Sequence, residues 1–509
     1  MSYSSLLQLA APEVILSLTA LAVLLADLTA LRGFDTRLRR RIGALAVCAG
    51  CVVTIAWLLA IPAAGEFDNG MLVVDPVTRL VQVGLVGLAL CAVLLTVESS
   101  FTQHVGEYYA VLLFATVGMM FMAGAADMLT AFLALELASL SLYVLAAFNK
   151  TGVAATEAAL KYFLFGGVAA AFTLFGLSLL YGISGSTNLA EVARVVAARA
   201  VHLPSALDGV AVPSLDPLLL VAIAMTTVGF GFKLAVVPFH AWAPDTYQAA
   251  PGPAAAFIAS ASKLASFFLF ARVLEVGLAG AEGSPDWLAV RPGWMALLAV
   301  IAAASMIWGN LAAIRQQSVR RLLAYSAVAH AGYMVLGLFA PGPDALASLL
   351  YYALTYGLTV VGAFAVVGVV QGGAERETMA DFAGFARREP WLAASLMVFL
   401  LSLAGVPPLP GFFGKFYLFG ALLRQPAAFP GKLWLVVLAV AMSTVSLYYY
   451  LKVLKQALVV PALAERPVVE CPAFSRVVIV GLAIAVVVLG AAPGLVVAPL
   501  LKALAVASW

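Results

Sequence analysis

Charge is what this sequence has least of. Asp, Glu, Lys and Arg make up 10% of its 509 residues, where a soluble domain carries roughly 25%. With 64% hydrophobic residues and a mean hydropathy of +1.06, that scarcity excludes a soluble globular chain. The net charge of +3 is small and its basic residues are dispersed, which argues against nucleic acid as a partner and leaves the lipid bilayer as the surroundings. Cysteine is also scarce, with Cys48, Cys51, Cys91 and Cys471. The one Cys-x-x-Cys pair, Cys48 and Cys51, lies in an apolar helix without a polar setting or a second ligand pair, so it reads as helix packing. No GxGxxG follows a strand, no cysteine set suits an iron-sulfur cluster, and no two of the four histidines share a span in a way that suggests haem. No cofactor or metal is therefore assigned to this chain, and whatever drives it comes from another protein or an ion gradient. The N-terminus lacks the basic segment, short apolar run and cleavage site of a signal peptide, so the first helix is expected in the mature protein.

What the chain does have is long apolar runs. They fall at about 12–31, 42–61, 77–97, 108–124, 127–148, 155–183, 215–248, 253–278, 291–312, 320–340, 344–371, 391–423, 432–453 and 474–498. Each crossing of a hydrocarbon core needs about 20 helical residues, so the reading is an all-α polytopic membrane protein, one bundle of about 14 spans. Lys and Arg collect unevenly in the connections. With the N-terminus outside, sixteen of the 28 lie in inside loops, among them Arg37, Arg39, Arg40, Arg41, Arg376 and Arg466, against seven outside, including Arg199. Both termini are then expected outside, which in a bacterium is the periplasm.

Two spans are too long to be simple. The seventh, about 215–248, would reach roughly 51 Å as one helix, and Pro238 interrupts it five residues after Lys233. The twelfth is interrupted by Gly405-Val406-Pro407-Pro408-Leu409-Pro410-Gly411, shortly before Lys415. The two are five spans apart and so cross in opposite directions. Paired broken spans in corresponding positions point to an inverted-repeat transporter with its ion path at the breaks.

Five ionisable residues stand inside these runs: Glu136, Lys161, Lys233, Lys263 and Lys415. At about 2.5–3.5 kcal/mol each on insertion scales, together they cost on the order of 15 kcal/mol, so something other than stability keeps them. Lys263, ten residues after Pro253, sits near mid-membrane, out of snorkelling reach. Desolvation eases loss of a lysine's proton, which suits a relay. Glu136 is also near mid-membrane, with Lys233 as its natural partner. Glu157 and Lys161 share a helix face nearer the inside, and Lys161 reads either as part of a proton path or as a helix-end anchor. Lys415 follows Gly411-Phe412-Phe413-Gly414, which lacks the glycine and hydroxyl of a phosphate loop and so reads as a membrane proton site. His330 reads either as a hydrogen-bonded core histidine or as a relay between Lys263 and Lys415. His240 reads as a mouth residue or an interfacial anchor; His104 and His202 read as loop residues with no partner.

Three motifs match a known family. Phe232-Lys233-Leu234-Ala235-Val236-Val237-Pro238-Phe239-His240-Ala241-Trp242-Ala243-Pro244-Asp245-Thr246-Tyr247 with Ala250-Pro251 resembles the signature of the N subunits of bacterial proton-pumping NADH:quinone oxidoreductase, respiratory complex I. So do Ser318-Val319-Arg320-Arg321-Leu322-Leu323-Ala324-Tyr325-Ser326 with His330-Ala331-Gly332-Tyr333, and Gly405-Val406-Pro407-Pro408 with Gly411-Phe412-Phe413-Gly414-Lys415-Phe416. The resemblance extends from Pro12-Glu13 over essentially the whole chain. It implies inverted repeats of helices 4–8 and 9–13, each with one broken helix, hence segments 1–107, 108–278, 291–455 and 474–509. It implies Glu136 and Lys233 as a modulating pair, Lys263 as the central proton carrier and Lys415 as the lysine of the second break. Lys161 and His330 match further positions on the polar axis. The implied activity is that of a non-redox subunit of a translocase, its partners the other membrane subunits of complex I, with NADH, FMN, iron-sulfur clusters and quinone held elsewhere. The chain resembles the N type within its superfamily: a lysine at 415 departs from the M subunits, the L subunits' long lateral helix is lacking, and Pro244 to Pro253 looks like the complex I type. A subunit of a multisubunit sodium/proton antiporter is the alternative, and a structural spacer with silent ion pairs the third reading.

Overall fold

The computed structural model describes residues 8–61, 64–67, 70–150, 152–198, 201–204, 211–287, 290–372, 378–424, 431–461 and 471–507, with backbone alone for 201–204 and 211–214. Arg199, Arg376 and Arg466, counted for orientation, and the side chain of His202 lie outside the described residues. In chain order the helices are α1 (Ala11–Leu28), α2 (Thr36–Ala60), α3 (Pro76–Thr96), α4 (Val105–Gly124), α5 (Met128–Ala146), α6 (Val153–Ser184) and α7 (Leu189–Ala198). There follow α8 (Pro217–Leu234), α9 (Trp242–Ala249), α10 (Gly252–Arg272), α11 (Trp294–Ile314), α12 (Val319–Val335), α13 (Pro343–Gln371) and α14 (Phe385–Arg388). The last are α15 (Pro390–Ala404), α16 (Pro410–Leu423), α17 (Leu433–Leu458), α18 (Ala473–Ala491) and α19 (Gly494–Leu504). Thirteen helices among the described residues are long and apolar enough to cross a membrane. One further crossing is shared by α15 and α16, of 15 and 14 residues. The chain is an all-α polytopic membrane protein.

Several helix starts are written in the sequence. In Asp75-Pro76 and Asp216-Pro217 the aspartate side chain accepts from the N–H of Thr78 at 2.6 Å and of Leu218 at 2.9 Å, while the proline occupies the first turn. That turn's N–H groups have no helical partner, so an acceptor there is worth about 1 kcal/mol. Elsewhere hydropathy misses the boundaries. α2 begins at Thr36, six residues before the apolar run starting at 42, because Asp35 caps it and its arginines are good helix formers. The fourteenth span is two helices, α18 and α19, separated by Ala492 and Pro493. Two small antiparallel hairpins, β1 (Gly65–Phe67) with β2 (Leu72–Val74) and β3 (Val201–Pro204) with β4 (Ala211–Ser214), sit in connections.

Burial sorts the helices into centre and rim. In α10 every residue from Pro253 to Arg272 is buried, and α12 is nearly as enclosed. By contrast α2, α6, α17 and α18 bury about a third of their residues or fewer and turn rows of Leu, Val and Phe outward. A helix apolar all round belongs in the middle of a bundle, and α10 is the middle of this one, against α3, α4, α5, α8 and α13. Lys263 on α10 therefore faces protein on every side.

Both long spans are broken, as the prolines require. The seventh ends its first half at Leu234, turns through Ala235 in the left-handed region (φ 57°), and resumes as α9. The twelfth stops at Ala404, turns through Gly405 (φ 86°), and resumes at Pro410. At this second break the halves touch: a Cβ on Gly411 would run into the carbonyl oxygen of Ser402. Because that oxygen is backbone, Gly411→Ala must displace a helix end, at about 1–3 kcal/mol. We expect it to lower the melting temperature of the purified protein; an unchanged midpoint would show that the break has slack.

Candidate functional site

Three of the six ionisable residues singled out by sequence, Lys263, His330 and Lys415, converge on α12. Lys263 on α10 has 0% exposure. Its ammonium donates to the carbonyl oxygen of Ala327 on α12 and lies 5.5 Å from the centre of the Tyr356 ring. No ion pair to Lys263 occurs among the described residues, so a carbonyl dipole and a π face do the solvating. One turn further along α12, His330 bonds Tyr352 on α13 through Nδ1 at 2.8 Å and Tyr450 on α17 through Nε2 at 3.2 Å. Its ring is 5.0 Å from that of Tyr356, which also faces Lys263.

Lys415, on the second half of the broken span, completes the row. Its Nζ donates to Ser443 Oγ on α17 at 2.8 Å and to the carbonyls of Leu403 and Ala404, both at 3.3 Å. Those carbonyls end α15, where a helix has acceptors without internal partners and the negative end of its dipole. The break thus supplies the oxygens that hold the ammonium. Gly405 completes the fit, since a Cβ there would stand 3.2 Å from Nζ. Nζ also lies 5.0 Å from the centre of the Tyr333 ring. Ala327, His330 and Tyr333 are three residues apart and share a face of α12, so one helix meets Lys263, carries His330 and meets Lys415 in order.

Lys233 bonds a group that the sequence did not single out. It ends α8, but its Nζ donates to Tyr143 Oη at 3.1 Å and lies over the Tyr143 ring at 4.9 Å. No direct ion pair with Glu136 occurs among the described residues, and Glu136 Oε1 is buried without a hydrogen bond. The reason is register: Tyr143 is seven residues, about two turns, beyond Glu136 on the same face of α5, and the break holds Lys233 level with the tyrosine.

Lys161 sits in a partly open charged cluster. It pairs with Glu157 at 2.6 Å, as their spacing implied, and with Asp245 on α9 at 2.9 Å. Asp245 also binds Arg321, at the start of α12, at 2.6 Å. The sequence offered no reason to join these, because the pairing exists only once α6, α9 and α12 meet. The His240 ring lies in the first break, 6.4 Å from those of Trp308 and Tyr325. His104 is not without a partner: its Nδ1 is 3.2 Å from Glu107 Oε1.

Other buried charges also escaped the sequence reading. Glu13, 2% exposed, accepts from Gln82 Nε2 at 2.6 Å. Arg272, at the end of α10, donates to the Ala123 carbonyl at 2.8 Å and to Thr78 Oγ1 at 3.2 Å, with Asp75 3.7 Å away. The available signal was a polar residue within a turn or two of an apolar helix end, which names a candidate without naming its partner. Cys51 is fully buried, and outside the spans burial pushes the Cys471 thiol up to about 11, a setting that disfavours the reactive thiolate.

A broken-helix membrane bundle with lysines at both breaks and a buried row between them defines an antiporter-like subunit. Residues 125–446 match the family described as NADH:quinone oxidoreductase/Mrp antiporter, transmembrane. NADH-quinone oxidoreductase subunit N 2 of Acidobacterium capsulatum is 48% identical over 97% of this chain and 98% of that relative. Subunit N of Nitrosomonas europaea is 36% identical over 87% of each. Among solved structures, a chain of respiratory complex I from Thermus thermophilus superposes with a TM-score of 0.76 at 33% identity, over 96% of this chain and 98% of that one. A chain of the Mrp complex of a Dietzia species shares the fold, with a TM-score of 0.77 at 21% identity over 98% and 97%. The chain belongs to the family of N subunits of NADH-quinone oxidoreductase.

The geometry around Lys415 gives a direct test of what solvates it. Removing one partner of a buried charge costs about 1.5–3 kcal/mol. Ser443→Ala should therefore lower the melting temperature of the purified protein, whereas Ser443→Thr, which keeps the hydroxyl, should restore most of it.

Proposed function

We propose that this chain is a proton-translocating membrane subunit of an NADH:quinone oxidoreductase, coupling electron transfer carried out in other subunits to proton movement through its own buried lysines. NADH, FMN, iron-sulfur clusters and quinone belong to those other subunits, and other membrane subunits of the complex are its partners. The observation that carries the reading is the row along α12, in which Lys263, His330 and Lys415 are linked through Ala327, Tyr356, Tyr352 and Tyr333. Names of relatives up to 48% identical support the same assignment.

In this reading a proton enters from the inside past the cluster of Glu157, Lys161, Asp245 and Arg321, loads Lys263, passes by way of His330 to Lys415, and leaves outward. Lys263 can carry because its ammonium is held by a carbonyl and a ring rather than a carboxylate, so the neutral form strands no counter-charge. Glu136 and Lys233 act as a modulating pair whose closed state is not the one described; with Tyr143 holding Lys233, closing means leaving that hydroxyl for the carboxylate. Helices of 108–278 and 291–455 form the two inverted repeats, with 1–107 and 474–509 flanking them. The opposite placement of the breaks, lysine before one and after the other, supports that pairing. The bulk of Lys and Arg on one side supports a bacterial inner-membrane protein with both termini periplasmic.

Lys263→Ala in the assembled complex should leave NADH oxidation measurable while lowering the protons pumped per NADH, read by pH-indicator quenching in proteoliposomes. Full pumping stoichiometry with normal assembly would refute the central role of Lys263. Tyr143→Phe and Glu136→Gln separate the partners of Lys233: the closing-pair mechanism predicts that Glu136→Gln lowers pumping more than Tyr143→Phe, and the reverse order would place the switch at the tyrosine. The antiporter alternative is decided by which chains co-purify in mild detergent and by whether sodium alone drives proton movement.

A further inference from the structure

Away from the proton row, the outward faces of α15 and α17 enclose a groove of about 720 Å³, whose walls include Met397, Leu401, Tyr448 and Leu451 and whose inner half carries Lys452 and Lys455. Tyr448, Lys452 and Lys455 follow at spacings of four and three residues on one face of α17, Val459 follows its end, and all four are exposed. From Tyr448 to Val459 that face runs about 16 Å along the axis, about half the thickness of a hydrocarbon core. The groove is therefore about as long as one leaflet is deep, apolar at Met397, Leu401, Tyr448 and Leu451, with Lys452 and Lys455 on the half that the charge distribution places inside and Leu458 and Val459 beyond them.

Lys452 and Lys455 make no ion pair or hydrogen bond among the described residues. Nearby, Arg387 on α14 is exposed in the same state, and α14 is held beside the end of α17 by the bond from Gly384 N–H to the Val460 carbonyl at 2.8 Å. The neighbouring acids are engaged: Glu389 binds Arg476 at 2.9 Å, and Asp381 accepts from the Thr378 hydroxyl at 2.8 Å. Basic pockets between spans on the inner side suit anionic lipid headgroups, each cation near the surface raising the affinity roughly fivefold.

We propose that this groove is a binding site for an anionic phospholipid, with one acyl chain lying along Leu401, Tyr448 and Leu451 and the headgroup phosphate on Lys452 and Lys455. The proposal is independent of the transport reading. Its deep end lies two residues from Leu403, whose carbonyl helps hold Lys415, so the bound chain packs against the half-helix that positions that lysine. A lipid satisfies both features of the groove at once, whereas a protein helix docking here would have to bring carboxylates to the inner half.

The test places the assembled complex in nanodiscs containing phosphatidylglycerol with a photoactivatable group on its acyl chain, and maps crosslinks after irradiation. Crosslinks are expected on segments 397–401 and 448–459, falling roughly 25-fold in the K452E/K455E double variant and about tenfold lower for phosphatidylcholine with the same chain. Leu401→Trp fills the groove without touching its charge and should cause the same loss, which keeps the test open if the double variant fails to assemble. Equal labelling by both lipids, or labelling indifferent to these variants, overturns the proposal. So does a lack of labelling because another chain of the complex covers the face.

Discussion

An ammonium group at the middle of a bilayer must be solvated by something, and among the described residues Lys233, Lys263 and Lys415 are held without a bond to a carboxylate. Lys263 has a carbonyl and an aromatic face, Lys415 has two carbonyls and a hydroxyl, and Lys233 has a phenol and two rings. Dipoles and π faces stabilise a cation less than a bound anion does, and they cost less to leave behind when the cation loses its proton. That constraint explains features that otherwise look unrelated. α10 is buried on all sides so that its lysine meets protein and not lipid. The twelfth span is broken so that helix-end carbonyls face Lys415. α12 is polar by the standard of its neighbours, with Ser326, His330 and Tyr333 on it, because it runs between the two lysines.

The two broken spans solve one problem in two ways. In the seventh, the lysine ends the first half and reaches across to a tyrosine of α5. In the twelfth, the lysine lies in the second half and reaches back to the end of the first. Irregular backbone at membrane depth is tolerable only where protein covers it; Ala235 and Val236 of the first break and Ala404 at the edge of the second are buried, while Pro238, Ala241, Pro407 and Pro408 are exposed. The charged cluster joining α6, α9 and α12 differs in kind: it is partly open, held by ordinary ion pairs, and sits where the second half of the seventh span meets the start of α12.

Much of this was legible in advance. Span number, both breaks and the identities of the buried lysines follow from runs of apolar residues and from prolines, because the bilayer imposes a length and excludes unpaired backbone. The caps at Asp75 and Asp216 are equally local. What the sequence left open was pairing across helices. Lys233 and Glu136 are buried and opposite in charge, and the register of α8 against α5 puts Tyr143 within hydrogen-bond reach of Lys233. Asp245, unremarkable in sequence, became the bridge between Lys161 and Arg321. The extension of α2 to Thr36 and the division of the last span at Pro493 show where hydropathy alone misjudges an end.

By itself the sequence determined that this is a many-spanning helical membrane protein with ionisable groups it must protect, and which residues those are. Hydrophobic length, proline and local capping act within a few residues and need no knowledge of the rest of the chain. Only the tertiary structure decided what solvates each charge and in what order the charges lie. Those answers depend on side chains tens to hundreds of residues apart, brought within 3 Å or so by helix packing whose rotation and register no local pattern specifies.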